Sequence, residues 1–306
     1  MDEKPMHAAF RTRTSPRSSG GRPSGLIGRG VLAAAAIAAA SALIVVPAQA
    51  DPAIPGIGSG SANGTATEPT PPPVTFAPPN LNIADGETVG VAQPIVITFK
   101  EPVADRAAAE NAIKVTASKP NAGHFTWRND RQVRWRPNDF WTDNTDVRVE
   151  AAGTTSSFRI GDAMVSTADD STHTITVTRN GEVVKTMPTS MGKTGHETPN
   201  GIYYVSEQLA KMTMDSSTYG VPVTDPEGYK IDVEYASRMS SSGIFVHAAP
   251  WSVAQQGVSN ASHGCLNVST ENAKWFMENT GKGDPVIVVN TSGGTLSTAD
   301  GQGDWN

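Results

Sequence analysis

Hydrophobic and polar residues alternate in short runs over much of residues 79–162, which predicts β-strands rather than helices. The clearest runs cover 91–99, 125–127, 132–135 and 146–150, with turn-forming residues between them. Only 106–112 has the character of a short helix. Short strands at this spacing are typical of a β-sandwich. We therefore predict that this region is a β-sandwich that acts as a spacer or binding module.

A second β-rich region is predicted over residues 163–290. It opens with strands at 174–178 and 182–185, joined by Arg179, Asn180 and Gly181. An Asn-Gly pair between strands favours a type I′ hairpin turn. Further strands are predicted at 201–205, 244–247 and 284–289, and one helix at 271–279. The Gly-rich tail, 291–306, is polar apart from Trp305 and is expected to dock on this second domain.

The first 78 residues differ in character from the rest. Residues 1–30 are rich in arginine, 31–46 are apolar, and Ala48 and Ala50 form an Ala-x-Ala site before Asp51. This pattern predicts a signal peptide over 1–50, with an uncleaved membrane anchor through 31–46 as the alternative. Residues 51–78, rich in Pro, Gly, Ser and Thr, are predicted to be a linker. Either interpretation places the rest of the chain outside the cytoplasm, secreted or anchored in the cell envelope.

The composition narrows the possible partners and points to one reactive group. The formal net charge is −6, and no long basic run follows residue 30, so nothing indicates a nucleic-acid partner. Cys265 is the single cysteine, which rules out an intramolecular disulfide. A lone cysteine in an exported protein is either a reactive thiol or a buried, inert one.

The surroundings of Cys265 favour the reactive interpretation. It ends the run Ser262-His263-Gly264-Cys265, and His247 ends a predicted strand 18 residues earlier. A cysteine and a histidine suffice for acyl transfer, because the imidazole takes the thiol proton and later returns one to the leaving amine. Gly264 permits an unusual backbone conformation, and backbone N–H groups around Gly264 and Cys265 are candidates for an oxyanion hole.

His247 followed by Ser262-His263-Gly264-Cys265-Leu266-Asn267 resembles the signature of the L,D-transpeptidases with a YkuD-type catalytic domain. The resemblance covers roughly 165–305 and is greatest to mycobacterial and actinobacterial members. It implies a mainly β fold: an immunoglobulin-like sandwich at 79–162, then a β-rich catalytic domain at 163–290 with one or two short helices and a flap.

The resemblance also implies roles for individual residues. Cys265 is expected to be the nucleophile, His247 its base, and the backbone carbonyl of Ala248 the group that orients the imidazole. Supporting roles are implied for Ser262, His263, Gly264 and Asn267. Substrate contacts are expected from Met214, Tyr219 and Tyr229 in the flap and from Trp251 in the pocket wall, with plain loop packing as the alternative.

The implied reaction is 3→3 cross-linking of peptidoglycan stem peptides through a cysteine acyl-enzyme, with carbapenem β-lactams as inhibitors. L,D-carboxypeptidation and attachment of a protein or D-amino acid to the stem use the same acyl-enzyme. A non-catalytic wall-binding protein is a third hypothesis. No cofactor or metal is expected, because the remaining histidines have no metal-ligand spacing with His247, His263 and Cys265: His7, His124, His173 and His196.

Overall fold

The computed structural model describes residues 75–300 and 302–306, except for the side chain of Tyr219. The predicted signal segment and nearly all of the predicted linker lie outside the described residues. Within the described part of the chain, no helix is long and apolar enough to cross a membrane.

The amino-terminal half of the described chain consists of two four-stranded sheets and one short helix. Its elements are β1 (Asn80–Leu81), β2 (Thr88–Val89), β3 (Ile95–Thr98), α1 (Arg106–Asn111), β4 (Ile113–Ala117), β5 (Gly123–Trp127), β6 (Gln132–Pro137), β7 (Asp146–Ala151) and β8 (Thr154–Ile160). One sheet has the order β1-β3-β6-β5 and the other β2-β8-β7-β4.

Alternate residues of these strands are buried in a shared hydrophobic core. Ile97, Val133 and Ile160 are fully buried there, and Val147 and Val149 are nearly so. The period-two pattern that predicts the strands therefore also identifies their buried face. Two sheets that share one core in this way form a β-sandwich, as the sequence predicts.

The carboxy-terminal half contains a five-stranded and a four-stranded sheet. Its elements are β9 (Met164–Asp169), β10 (Thr174–Arg179), β11 (Glu182–Pro188), β12 (Gly201–Tyr204), β13 (Glu207–Asp215), β14 (Lys230–Arg238), β15 (Phe245–Ala248), β16 (Leu266–Val268), α2 (Thr270–Asn279) and β17 (Pro285–Val289). The sheet orders are β11-β10-β9-β17-β12 and β13-β14-β15-β16. Short 3₁₀ helices occur at Ser216–Tyr219 and Pro250–Ser252.

Local sequence signals explain two of these elements. Asn180 and Gly181, between β10 and β11, have φ values of 51° and 87°, as a type I′ turn requires. Helix α2 begins after the N-cap Ser269, whose side chain accepts a hydrogen bond from the N–H of Asn272. The buried face of α2 includes Ala273 and Phe276, which join the core of this domain.

The segment that the sequence analysis treats as a flap loop is largely a β-hairpin. Strands β13 and β14 are nine residues long and pair antiparallel, with Met212 opposite Val233 and Met214 opposite Ile231. Charged partners face each other elsewhere in the ladder, as in the 3.1 Å ion pair between Lys230 and Asp215. These strands escape prediction because their many polar residues find partners only across the ladder. The loop proper is 216–229.

The tail contacts both halves of the described chain, the β-sandwich as well as the second domain on which it is expected to dock. The indole N–H of Trp305 donates to the carbonyl of Ala92 at 2.8 Å, in the amino-terminal half. Asp304 forms a 2.5 Å ion pair with Arg134 of β6 and accepts a hydrogen bond from Tyr204 of β12 at 3.1 Å. The tail therefore joins the β-sandwich to the second domain.

Candidate active site

The site is built on two neighbouring parallel strands. In the ladder of β15 and β16, Val246 lies opposite Leu266 and His247 opposite Asn267. Cys265 immediately precedes β16, so it is two residues from Asn267 and belongs to the same face of the strand. His247 and Cys265 accordingly line one cavity of about 180 Å³. The backbone ladder thus fixes the positions of both residues.

His247 is buried, with only 3% of its surface exposed. Its Nδ1 atom lies 2.9 Å from the carbonyl oxygen of Ala248, the contact that the family resemblance implies. Burial lowers the pKa of His247 to about 4, although the hydrogen bond to Ala248 acts in the opposite direction. The imidazole is therefore neutral at neutral pH. Because the carbonyl can only accept, Nδ1 carries the proton and Nε2 is left as the basic nitrogen.

Cys265 is also largely buried and belongs to an apolar cluster with Met214 and Phe245. Burial raises the pKa of its thiol to about 11, partly offset by the backbone N–H of Phe245 and the charge of Arg238. Its Sγ lies 3.7 Å from the carbonyl oxygen of Gly243. The two shifts in pKa favour a neutral thiol on Cys265 and a neutral imidazole on His247.

A tight turn sets the position of the thiol. The hydroxyl of Ser262 donates to the carbonyl of Cys265 at 2.6 Å and accepts from the N–H of Gly264 at 3.0 Å. Gly264 has a φ of 116°, which disfavours other residues, and its carbonyl accepts from Thr198 at 2.8 Å. Since the Gly264 N–H is used within the turn, it is not available as an oxyanion donor in this geometry.

Asn267 supports the floor of the site. It is buried, and its amide donates to the hydroxyl of Ser252 at 3.2 Å. Its backbone N–H donates to the carbonyl of Ser190 at 2.9 Å. The side-chain oxygen of Asn267 is buried without a hydrogen-bond partner among the described residues.

Three of the expected substrate contacts line the same cavity: Met214, Tyr229 and Trp251. Trp251 is about half exposed, and its ring centroid lies 6.0 Å from that of His247. The fourth, Tyr219, ends a 3₁₀ helix, but its side chain lies outside the described residues. Ile231 and Ala261 also line the cavity. Their apolar side chains give no chemical signal in the sequence, so the sequence analysis misses them.

His263 lies on the rim of the cavity and contacts the flap loop. Its Nε2 lies 2.8 Å from a carboxylate oxygen of Glu227, which also pairs with Lys193 at 2.5 Å. The hydrogen bond from Lys193, followed by that with His263, lowers the pKa of Glu227 to about 2. Glu227 and Lys193 give no signal in the sequence, because they lie 36 and 70 residues before His263 and belong to no motif.

Comparison with known proteins agrees with this geometry. Residues 163–288 match the family model of the L,D-transpeptidase catalytic domain, and residues 57–155 match that of a bacterial Ig domain. L,D-transpeptidase 1 of Mycobacterium tuberculosis (strain ATCC 25618 / H37Rv) is 43% identical over 210 residues, which are 69% of this chain and 84% of that protein. The chain belongs to the L,D-transpeptidase family.

A second relative and a solved structure are also similar to this chain. L,D-transpeptidase 2 of M. tuberculosis (strain CDC 1551 / Oshkosh) is 51% identical over 261 residues, 81% of this chain, but the chain spans only 64% of that protein's length. An L,D-transpeptidase solved in complex with imipenem matches with a TM-score of 0.67 at 43% identity, covering 72% of this chain and 100% of the other. The family and the mainly β fold class are thereby confirmed.

Proposed function

We propose that this L,D-transpeptidase forms 3→3 cross-links between peptidoglycan stem peptides through an acyl-enzyme on Cys265. One observation carries the proposal: His247 lies on β15, Cys265 immediately precedes the neighbouring parallel strand β16, and both residues line one cavity. The identity of 51% to a mycobacterial L,D-transpeptidase supports the substrate class. We further propose that the enzyme acts outside the cytoplasm, in the cell envelope, where its substrate is found.

Acylation begins with a neutral pair, so proton transfer accompanies attack. As the sulfur of Cys265 approaches the carbonyl of the third residue of a donor tetrapeptide, Nε2 of His247 takes the thiol proton. The C–S bond forms, and a tetrahedral oxyanion develops. When it collapses, the peptide bond breaks, and His247 returns the proton to the amine of the departing D-alanine. The product is a thioester, with the imidazole again neutral.

Transfer reverses the same steps with another amine. The side-chain amine of a diamino acid on a second stem attacks the thioester carbon, and His247 accepts its proton. The C–S bond breaks, an amide bond forms, and the proton returns to the sulfur of Cys265. The carbonyl of Ala248 holds the imidazole in one tautomer throughout, which keeps Nε2 basic in both halves of the reaction.

A second cavity offers an approach for the acceptor. It has a volume of about 500 Å³ and shares Trp251 with the cavity around Cys265. Its lining includes the acidic side chains of Asp232 and Glu234, and Glu234 pairs with Lys211 at 3.1 Å. Carboxylates attract the ammonium group that a diamino acid carries before it is deprotonated for attack. We therefore place the acceptor stem in this cavity, across Trp251 from the donor.

Intact mass spectrometry after exposure to imipenem tests the nucleophile. Attack on the β-lactam carbonyl opens the ring without releasing a fragment, so the wild-type protein should gain the mass of one imipenem. Cys265→Ser is the matched control and should gain no mass, because the serine hydroxyl has a far higher pKa than a thiol. An adduct of equal extent on Cys265→Ser would exclude Cys265 as the acylated residue.

Product analysis with purified tetrapeptide muropeptides tests the reaction. Cross-linked dimers that depend on Cys265 support 3→3 transpeptidation. Tripeptides alone would assign L,D-carboxypeptidation, and exchange of the terminal residue would assign D-amino-acid attachment. If Cys265→Ala keeps the physiological function of the protein, the enzymatic proposal fails and a wall-binding role replaces it.

A further inference from the structure

A cluster of potential metal ligands lies on the rim of the cavity, outside the reacting pair. Its members are His196, Glu227 and His263, whose ligand atoms all lie within 4.8 Å of one another. A carboxylate oxygen of Glu227 lies 2.8 Å from Nε2 of His263 and 3.8 Å from Nε2 of His196. The two imidazole rings meet edge to face, with centroids 4.7 Å apart.

Two of the three side chains come from loops that are fastened to each other. The N–H of Lys193 donates to the carbonyl of Ser262 at 2.9 Å, and the hydroxyl of Thr198 donates to that of Gly264 at 2.8 Å. These contacts flank His196 on one loop and His263 on the other. The two loops that carry the imidazoles are therefore fixed relative to each other before any ion arrives, which reduces the entropic cost of binding.

The third side chain comes from the flap loop. Glu227 follows a turn in which its N–H donates to the side chain of Asp225 at 3.0 Å. Tyr229, two residues later, lines the cavity of Cys265, and its ring lies 5.2 Å from that of His263. A metal ion bound by Glu227 and the two histidines would therefore fasten the flap loop beside Cys265.

The chemistry of this cluster suits zinc. Two imidazoles and one carboxylate are a common zinc ligand set that leaves the fourth position open. In a tetrahedral site with metal–ligand bonds of this type the ligand atoms lie about 3.3 Å apart, so side-chain adjustments on the order of 1 Å suffice here. The ammonium of Lys193 now pairs with Glu227 at 2.5 Å, and zinc must displace it. All three ligands are partly exposed, so solvent gives the ion access.

We propose that His196, Glu227 and His263 form a zinc-binding site that fastens the flap loop to the loop that carries Cys265. Zinc bound there holds Tyr229 against the cavity and slows entry of substrates and β-lactams. The site has no part in the acyl-transfer steps. Sequence spacing gives no sign of it, since the three residues are 31 and 36 positions apart and meet only through the fold.

Zinc binding is measured by equilibrium dialysis on Cys265→Ala protein without a histidine tag, so that the thiol cannot hold the ion. One zinc ion per chain is expected, and cobalt in its place should give the visible absorption of a tetrahedral site. His196→Gln and Glu227→Gln should each weaken binding about tenfold or more, because each removes a ligand. His124→Gln is the matched control, since His124 lies in β5 of the sandwich, and it should bind as the parent does.

Amide hydrogen exchange of residues 216–229 measures the effect on the flap. Zinc should slow exchange there in the Cys265→Ala parent and in His124→Gln, but not in Glu227→Gln. Binding that is undiminished in both ligand variants would overturn the site, and unchanged exchange on zinc binding would overturn the fastening of the flap. Because the parent lacks the nucleophile, these outcomes do not depend on whether Cys265 forms an acyl-enzyme.

Discussion

At the scale of single residues, burial determines the protonation of Cys265 and His247, the proposed nucleophile and base. Cys265 and His247 are both removed from solvent, and each loses the charged form that water would stabilise. The proton shared by Cys265 and His247 therefore resides on the sulfur of Cys265 in the resting state. This state protects the thiol from other electrophiles, because only the thiolate reacts rapidly.

Alkylation of Cys265 by iodoacetamide should therefore be slow at neutral pH and rise steadily towards pH 10. With the thiol pKa raised to about 11, each unit of pH below it reduces the thiolate about tenfold. The rate is followed by mass spectrometry, with Cys265→Ser as the unlabelled control. A rate that already levels off near pH 7 would show a preformed thiolate and contradict the neutral pair.

The buried imidazole should also make the fold sensitive to acid. His247 has a folded pKa of about 4 against 6.5 in the unfolded chain, so between these values the unfolded state binds more protons. Stability should fall as pH decreases from 6.5 to 4, by on the order of 3 kcal/mol from this residue. Urea denaturation of wild type and His247→Gln measures the difference. The variant should lose less stability over this window, and equal losses would contradict the prediction.

At the scale of elements, turns and helices whose capping or turn residues lie within them are predictable from the sequence. Strands that depend on a partner strand are not. The Asn180-Gly181 turn and the capped helix α2 are recognisable because their signals lie within a few residues. Strands β13 and β14 are not, because their polar residues are explained only by the ladder between them. The contact between His263 and Glu227 depends on that same hairpin, which places the flap loop on the rim of the site.

The turn before β17 contains a buried carboxyl group that should weaken the fold at high pH. Asp284 accepts from the N–H of Gly281 at 2.8 Å, yet burial raises its pKa to about 7. Between 3.8 and 7 the folded state binds more protons, so stability should fall as pH rises through this window.

Asp284→Asn keeps an acceptor for Gly281 and removes the charge. It should therefore be more stable than wild type at pH 8, by on the order of a few kcal/mol, and similar to it at pH 4. Thermal denaturation at both pH values checks this. A variant that is less stable at pH 8 would show that the ionised carboxylate is favoured where it lies.

At the scale of the whole molecule, the tail joins the two domains through a nearly buried ion pair. The side chains of Arg134 and Asp304 are only 12% and 4% exposed. The sequence identifies Trp305 as a packing residue but cannot reveal that its partner is Ala92, more than 200 positions away. Long-range contacts between an irregular tail and a sheet face follow no periodic pattern, so only the folded structure reveals them.

Removing one partner of this ion pair should destabilise the fold more than replacing both partners. Arg134→Ala leaves Asp304 buried without its cation and should destabilise the protein by about 3–5 kcal/mol. Arg134→Met with Asp304→Leu fills a similar volume with apolar groups and should recover much of the loss. Urea denaturation of Arg134→Met, Asp304→Leu and the double variant gives the coupling energy. Additive losses would show that the two side chains act independently.

The division between the β15–β16 ladder and the loop 216–229 has a consequence for how the family diversifies. The proposed nucleophile and base are positioned by the pairing of β15 with β16, while the loop is anchored by the register of β13 and β14. A loop taken from a relative and placed between Asp215 and Lys230 would join the same two strand ends. The 14 residues of this loop can thus vary without altering the strand pairing that positions Cys265 and His247.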